Sequence, residues 1–141
     1  MQNNKEIIER YSRELWGDHY FTAIDRTFAE DAIIHSPLNR TKGRVTMRQM
    51  IEKWFEAFPD LAFTWVDHIA EGDKVVSRWH AIGTHIGSFW DTHPTNKEIA
   101  FSGVTTYRLH NGKVAEYWAL VDMHAILRQL GEYQSIHEVV E

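Results

Sequence analysis

A chain of 141 residues is long enough for one domain with its own core and too short for two ordinary ones. The net charge of −5 argues against a surface built on phosphate contacts to nucleic acid, and the absence of cysteine excludes disulfides, thiolate nucleophiles and cysteine-ligated metals. Six Trp, seven Phe and five Tyr are a heavy aromatic load, suited to filling a core or to lining an apolar pocket.

From Asn4 to about Asp18, Ile7, Ile8, Tyr11, Leu15 and Trp16 recur at helical spacing, with Glu6, Glu9, Arg10, Arg13 and Glu14 on the opposite face. This predicts an amphipathic helix weakened at Gly17. Thr22–Phe28 suggests a short second helix, and Ala32–His35 a brief strand closed by Ser36-Pro37. A loop through Asn39 and Gly43 leads to a third helix, Val45–Phe58. Its apolar stripe is Met47, Met50, Ile51, Trp54, Phe55 and Phe58, and Pro59-Asp60 stops it.

Beyond Pro59 the period changes from helical to alternating. Strands are expected over Leu61–Ala70, Val75–Gly87, Glu98–Leu109 and Lys113–Val121, with Gly-containing turns at 71–74 and 110–112. The stretch Ser88–Lys97 is too long for a tight turn and is placed to cover a cavity mouth. A last helix, Met123–Leu130, is stopped by Gly131. The order, helices first and then a strand meander, predicts a single α+β domain over residues 1–141, with helices packed on one face of a curved, mainly antiparallel sheet. The polar N-terminus and the lack of a bilayer-length apolar run suggest a soluble cytoplasmic protein without a membrane partner.

The nine histidines invite a metal, but His80 and His85 lie five apart on one strand and point to opposite faces. Metal-ligand spacings, a nucleophile elbow and Gly-rich phosphate loops are all missing, so neither a metal nor an organic cofactor is expected. Acid–base chemistry remains. In a regular strand, Val114, Glu116, Trp118, Leu120 and Asp122 share one face, so the Asp122 carboxylate is either partly desolvated for proton transfer or simply the N-cap of the following helix. His85 shares a face with Ser77, Trp79, Ala81 and Gly83: it either polarises a carbonyl in a pocket or is a solvated residue near a strand end. His35, which ends a short strand beside Ser36-Pro37, is similar: it takes the same part or is an ordinary loop residue. Phe101, Gly103, Thr105 and Tyr107 share a face of the next strand, and Trp90 sits in the covering loop.

Several runs occur in order: Phe28-Ala29-Glu30-Asp31-Ala32, Phe58-Pro59-Asp60-Leu61, Gly72-Asp73-Lys74-Val75-Val76-Ser77-Arg78-Trp79 and Gly83-Thr84-His85-Ile86-Gly87. Phe101-Ser102-Gly103, Tyr107-Arg108, Asn111-Gly112-Lys113, Glu116-Tyr117-Trp118, Asp122 and Gln129-Leu130-Gly131 follow. From about Ile7 to Gly131 the set resembles the SnoaL-like polyketide cyclases, or ester cyclases. The resemblance implies the cone of the nuclear transport factor 2-like superfamily, in which helices close one mouth of a bent sheet around a pocket. It implies aldol-type ring closure of a carbonyl-bearing small molecule, with Asp122 as acid and base and His85 and His35 stabilising charge on oxygen. Trp118, Trp79, Phe101, Tyr107 and Trp90 are then substrate-binding residues. The loop at Trp90, Asp91 and His93 departs from the glycine-and-aliphatic loop expected of the cyclases, which argues against a large, flat polycyclic substrate. The cone also hosts non-catalytic modules, so a small-molecule-binding or dimerisation module stands as the alternative, and a homodimer fits both.

Overall fold

The computed structural model describes residues 3–37, 40–89 and 92–131. Asn3 opens the first helix: its side-chain oxygen accepts the amide of Glu6 at 2.9 Å, satisfying a donor that no helical carbonyl can reach. This helix, α1 (Asn4–Ser12), continues into a π-helical turn over Arg13–Gly17, where Leu15 and Trp16 are both buried. α2 (Thr22–Thr27) yields at Phe28 to β1 (Phe28–His35), which begins earlier than its alternation suggests. The reason is a register shift against its neighbour between Phe28 and Ile33, which leaves Glu30 and Asp31 exposed side by side and breaks the pattern. β2 (Arg40–Lys42) is three polar residues long and carries no sequence signature; it exists by pairing with β1.

α3 (Arg44–Ala57) turns Met47, Ile51, Trp54 and Ala57 inward. It is followed by β3 (Ala62–Glu71), β4 (Lys74–Thr84), β5 (Glu98–His110), β6 (Lys113–Val121) and α4 (Met123–Leu130). The sheet runs β2-β1-β6-β5-β4-β3, antiparallel throughout except where β1 lies parallel to β6. The α+β cone is thus observed, with α1 and α3 against the inner face. There Ile8, Tyr11 and Leu15 meet Met47 and Ile51 in one core with Val75, Ile99 and Val114. α4 is docked by Gln129, whose amide both donates to the Ala100 carbonyl at 2.8 Å and accepts the Ala100 amide at 3.0 Å. Among the described residues no helix is long and apolar enough to cross a membrane.

Three faults in the ladders bend the sheet, at β1, at Trp65/Asp67 of β3 and at Arg108/Leu109 of β5. The last one decides which residues face inward. Leu109 pairs with Val114 but Arg108 pairs with Glu116, so β6 carries an extra residue. After Val114 its inward positions are therefore Tyr117, Ala119 and Val121. The expected face of Val114, Glu116, Trp118, Leu120 and Asp122 is broken by this slip, and Trp118 and Leu120 stand outside.

Candidate functional site

The inner face and the helices line a narrow apolar cavity of about 30 Å³, well below the usual size of a small-molecule pocket, so a ring-bearing ligand must part its walls to enter. β3 and the residue before it contribute Leu61, Phe63 and Trp65, an alternating trio; β4 contributes Trp79, β5 Phe101 and Thr105, and β6 Tyr117, Ala119 and Val121. Trp16, Pro37, Met50 and Trp54 complete the wall. The rings brace one another: Phe63 lies 4.7 Å from Trp16 and 5.0 Å from Trp79, and Trp79 meets Phe101 edge-on at 5.9 Å. No Asp, Glu, His, Lys or Arg among the described residues lines this space. Its polar features include the Tyr117 phenol in the wall and a hydrogen bond from the Trp79 indole Nε1 to Thr105 Oγ1 at 3.0 Å.

Behind Tyr117 the core holds Tyr107 at 5.5 Å and Tyr11, itself 6.1 Å from Tyr107. Burial pushes all three phenols well above their ordinary range, so they stay protonated. Tyr107 is in this layer rather than in the cavity wall.

Asp122 is exposed and caps α4, its Oδ1 accepting the Ala125 amide at 3.0 Å while its own amide donates to the Ser102 carbonyl at 3.0 Å. The carboxylate is one residue beyond Val121 of the cavity wall. His85 is 0% exposed and lies just past the end of β4, its ring 5.7 Å from Phe58. Its Nδ1 accepts the Thr95 amide at 3.2 Å, with Thr95 Oγ1 3.0 Å away, so the ring proton is on Nε2. Its backbone donates to Lys97 and accepts from Asn96. Burial lowers its pKa, and the buried Nε2 has no hydrogen-bond partner among the described residues. His85 thus fastens residues 95–97 to the end of α3, with Phe58 between it and Phe101 of the cavity wall.

His35 faces outward from β1. Its ring stacks on Trp118 at 5.4 Å with 4° between planes, and its Nε2 is 2.8 Å from Glu116 Oε2. Glu116 also accepts from Arg108 at 3.3 Å, and the His35 hydrogen bond, then Arg108, hold its carboxyl below the usual range against partial burial. Of the residues expected around a ligand, Trp79 and Phe101 line the cavity; Trp118 is an outer-face residue because of the β6 bulge, and Trp90 lies outside the described residues. The wall from α1 and α3 was visible as apolar stripes, but only the packing shows which stripe residues reach the cavity. Among the described residues no group of three or more His, Asp or Glu side chains is placed to hold a metal ion.

No curated protein matches the chain. Solved structures do. AclR from Streptomyces galilaeus, assigned as a hydroxylase, is 27% identical, with TM-score 0.83 over 97% of this chain and 90% of that one. A protein from Acidithiobacillus ferrooxidans assigned as a polyketide cyclase is 26% identical, with TM-score 0.79 over 93% of this chain and 96% of that one. An assigned SnoaL-like polyketide cyclase from Jannaschia sp. CCS1 is 24% identical, with TM-score 0.86 over 93% of both chains, and supports the fold alone. The family description for SnoaL-like polyketide cyclases matches residues 6–130, nearly every described element, and the chain belongs to that family.

Proposed function

We propose that the chain is a cofactor-independent enzyme of the cyclase or isomerase type, acting on a neutral, carbonyl-bearing small molecule held in the apolar cavity. The cavity itself carries this reading: it is walled by flat aromatic rings and offers no charged partner, so it suits an uncharged, planar molecule and penalises an ion. The family membership supplies the reaction type. In this reading Asp122 is the acid and base. Its carboxylate takes a proton alpha to one carbonyl, the resulting enolate carbon attacks a second carbonyl, and the same proton passes to the new alkoxide. To do so it exchanges its bond to the Ala125 amide for one to the substrate at the cavity mouth. His85 and His35 serve the architecture rather than the substrate, one fastening residues 95–97 and the other packed on the outer sheet face.

Alpha-proton exchange into deuterated water, followed by NMR on a panel of small aryl ketones, tests this without knowledge of the natural substrate. The native protein accelerates exchange, and Asp122→Asn lowers the rate by about 10²–10⁴-fold. Asparagine is as good an N-cap as aspartate, so α4 survives and the loss is chemical. An unchanged rate in that variant contradicts the role of Asp122.

A second reading has its own support. Asp122 is an exposed cap and no Asp, Glu, His, Lys or Arg among the described residues lines the cavity, as in a binding module without chemistry. That reading expects ligand binding indifferent to Asp122→Asn and no exchange in any ketone. Both readings include a homodimer through the outer sheet face, where Leu120 is 72% and Ile69 55% exposed beside Val104, Val76 and Trp118.

A further inference from the structure

We propose that the Thr105 hydroxyl, aimed by the Trp79 indole, donates the hydrogen bond that recognises the carbonyl oxygen of the ligand. This rests on the cavity being the ligand site and adds the group that selects what enters it.

Thr105 is 4% exposed and its side chain forms part of the cavity wall. An indole N–H can only donate, so the 3.0 Å contact from Trp79 Nε1 occupies a lone pair of Thr105 Oγ1 and leaves the hydroxyl proton unused by that bond. The nearby main chain offers it little. β5 is flanked by β4 on one side and β6 on the other, so its carbonyls are engaged in two ladders. The rest of the wall is aliphatic and aromatic, the Tyr117 phenol and the indoles of Trp16, Trp54 and Trp65 included, and none of these is hydrogen-bonded to the Thr105 hydroxyl. A hydroxyl donor facing such a surface carries an unpaired polar cost that a ligand oxygen removes. Accepting from the indole also polarises the hydroxyl, making it a better donor.

Gly103 makes the arrangement possible. It pairs with Trp79 across the ladder, and its missing side chain lets the indole lie over β5 and reach Thr105, two residues along. The pair therefore recognises a neutral ligand acceptor, a ketone or ester carbonyl. A carboxylate is refused, because no cation in the wall offsets its desolvation.

Three naphthalenes of like shape provide the test, read by quenching of tryptophan fluorescence: acetylnaphthalene, its isosteric alkene isopropenylnaphthalene, and naphthoate. The native protein is expected to bind the ketone several-fold more tightly than the alkene and to bind naphthoate weakly at neutral pH. Thr105→Val should weaken the ketone by about 3- to 10-fold, the range of one neutral hydrogen bond, and leave the alkene within about twofold; Thr105→Ser should restore the preference. Because Thr105→Val also strips the Trp79 indole of its acceptor, a second measurement needs no variant. The carbonyl stretch of bound, isotope-labelled acetylnaphthalene should fall below its position in alkane solvent. If both hydrocarbon skeletons bind but the native protein and Thr105→Val do not distinguish ketone from alkene, or the stretch is unshifted, the Thr105 assignment is overturned and the cavity reading survives. If neither skeleton binds the native protein, the cavity reading falls and this inference with it.

Discussion

The indole of Trp79 lies so close over Gly103 that a β-carbon at residue 103 would stand 2.3 Å from ring atom Cζ2 and 2.6 Å from the Leu120 carbonyl oxygen. Both clashes are with parts that have nowhere to go, one a ring wedged between Phe63 and Phe101, the other the backbone of β6.

Gly103→Ala should therefore destabilise the fold by about 1–3 kcal/mol and abolish ligand binding in the cavity, since the indole must leave its place over β5. Urea unfolding measures the first effect, and the near-UV dichroism of the tryptophans reports the second. A variant with native stability and native tryptophan signal contradicts the packing described.

At Asp122 the two roles separate by substitution. Asp122→Ala removes the acceptor for the Ala125 amide and should cost about 0.5–2 kcal/mol in thermal unfolding, while Asp122→Asn keeps the cap and should cost almost nothing. Equal losses in the two variants show that the charge, rather than the cap, stabilises α4.

Acid should weaken the protein before its carboxylates titrate. Burial lowers the pKa of His85, and burial also lowers that of His68, opposed by Glu9 and Asp67, so the folded chain binds these protons less readily than the unfolded chain, where a histidine titrates near pH 6.5. Their stabilising contribution is complete above about pH 6.5 and is lost as pH falls from there through the lowered folded values. The urea midpoint should decline between about pH 7 and about pH 5, and decline less in His85→Gln, whose amide oxygen can still accept the Thr95 amide. A flat midpoint across this window contradicts the neutral state of the buried His85 and the half-buried His68.

The outer face predicts assembly. Leu120→Arg places a charge beside Val104 on the outer face and should convert a dimer to monomers in sedimentation velocity without altering the cavity. A native chain that sediments as a monomer at high concentration removes the dimer from the account.

Much of this architecture is legible in single residues. The stripe Met47, Met50, Ile51, Trp54 specifies a helix with one buried face, and Ser77, Trp79, Ala81, Gly83 specify the inner face of β4, because both patterns follow from the fixed periods of regular backbone. Asp before Met123 marks the cap by itself. What was hidden depends on irregular backbone or on pairing. The extra residue in β6 moves Trp118 outward and Tyr117 inward, and β2 is too short and polar to announce itself. Thr105 stood on the expected face of β5, but its partner became identifiable only with the register that sets Trp79 opposite Gly103. His85 keeps the face expected of it, yet β4 has already ended there, and the ring turns to Phe58 and Thr95 instead of the cavity.

The central claim, that a neutral carbonyl compound occupies the cavity, is tested most directly by a crystal structure of the protein with acetylnaphthalene. The account predicts the rings between Trp54, Trp79 and Phe101, with the carbonyl oxygen within hydrogen-bond distance of Thr105 Oγ1. A cavity closed over by its own tryptophans, with the ligand on the outer sheet face or unbound, would contradict it.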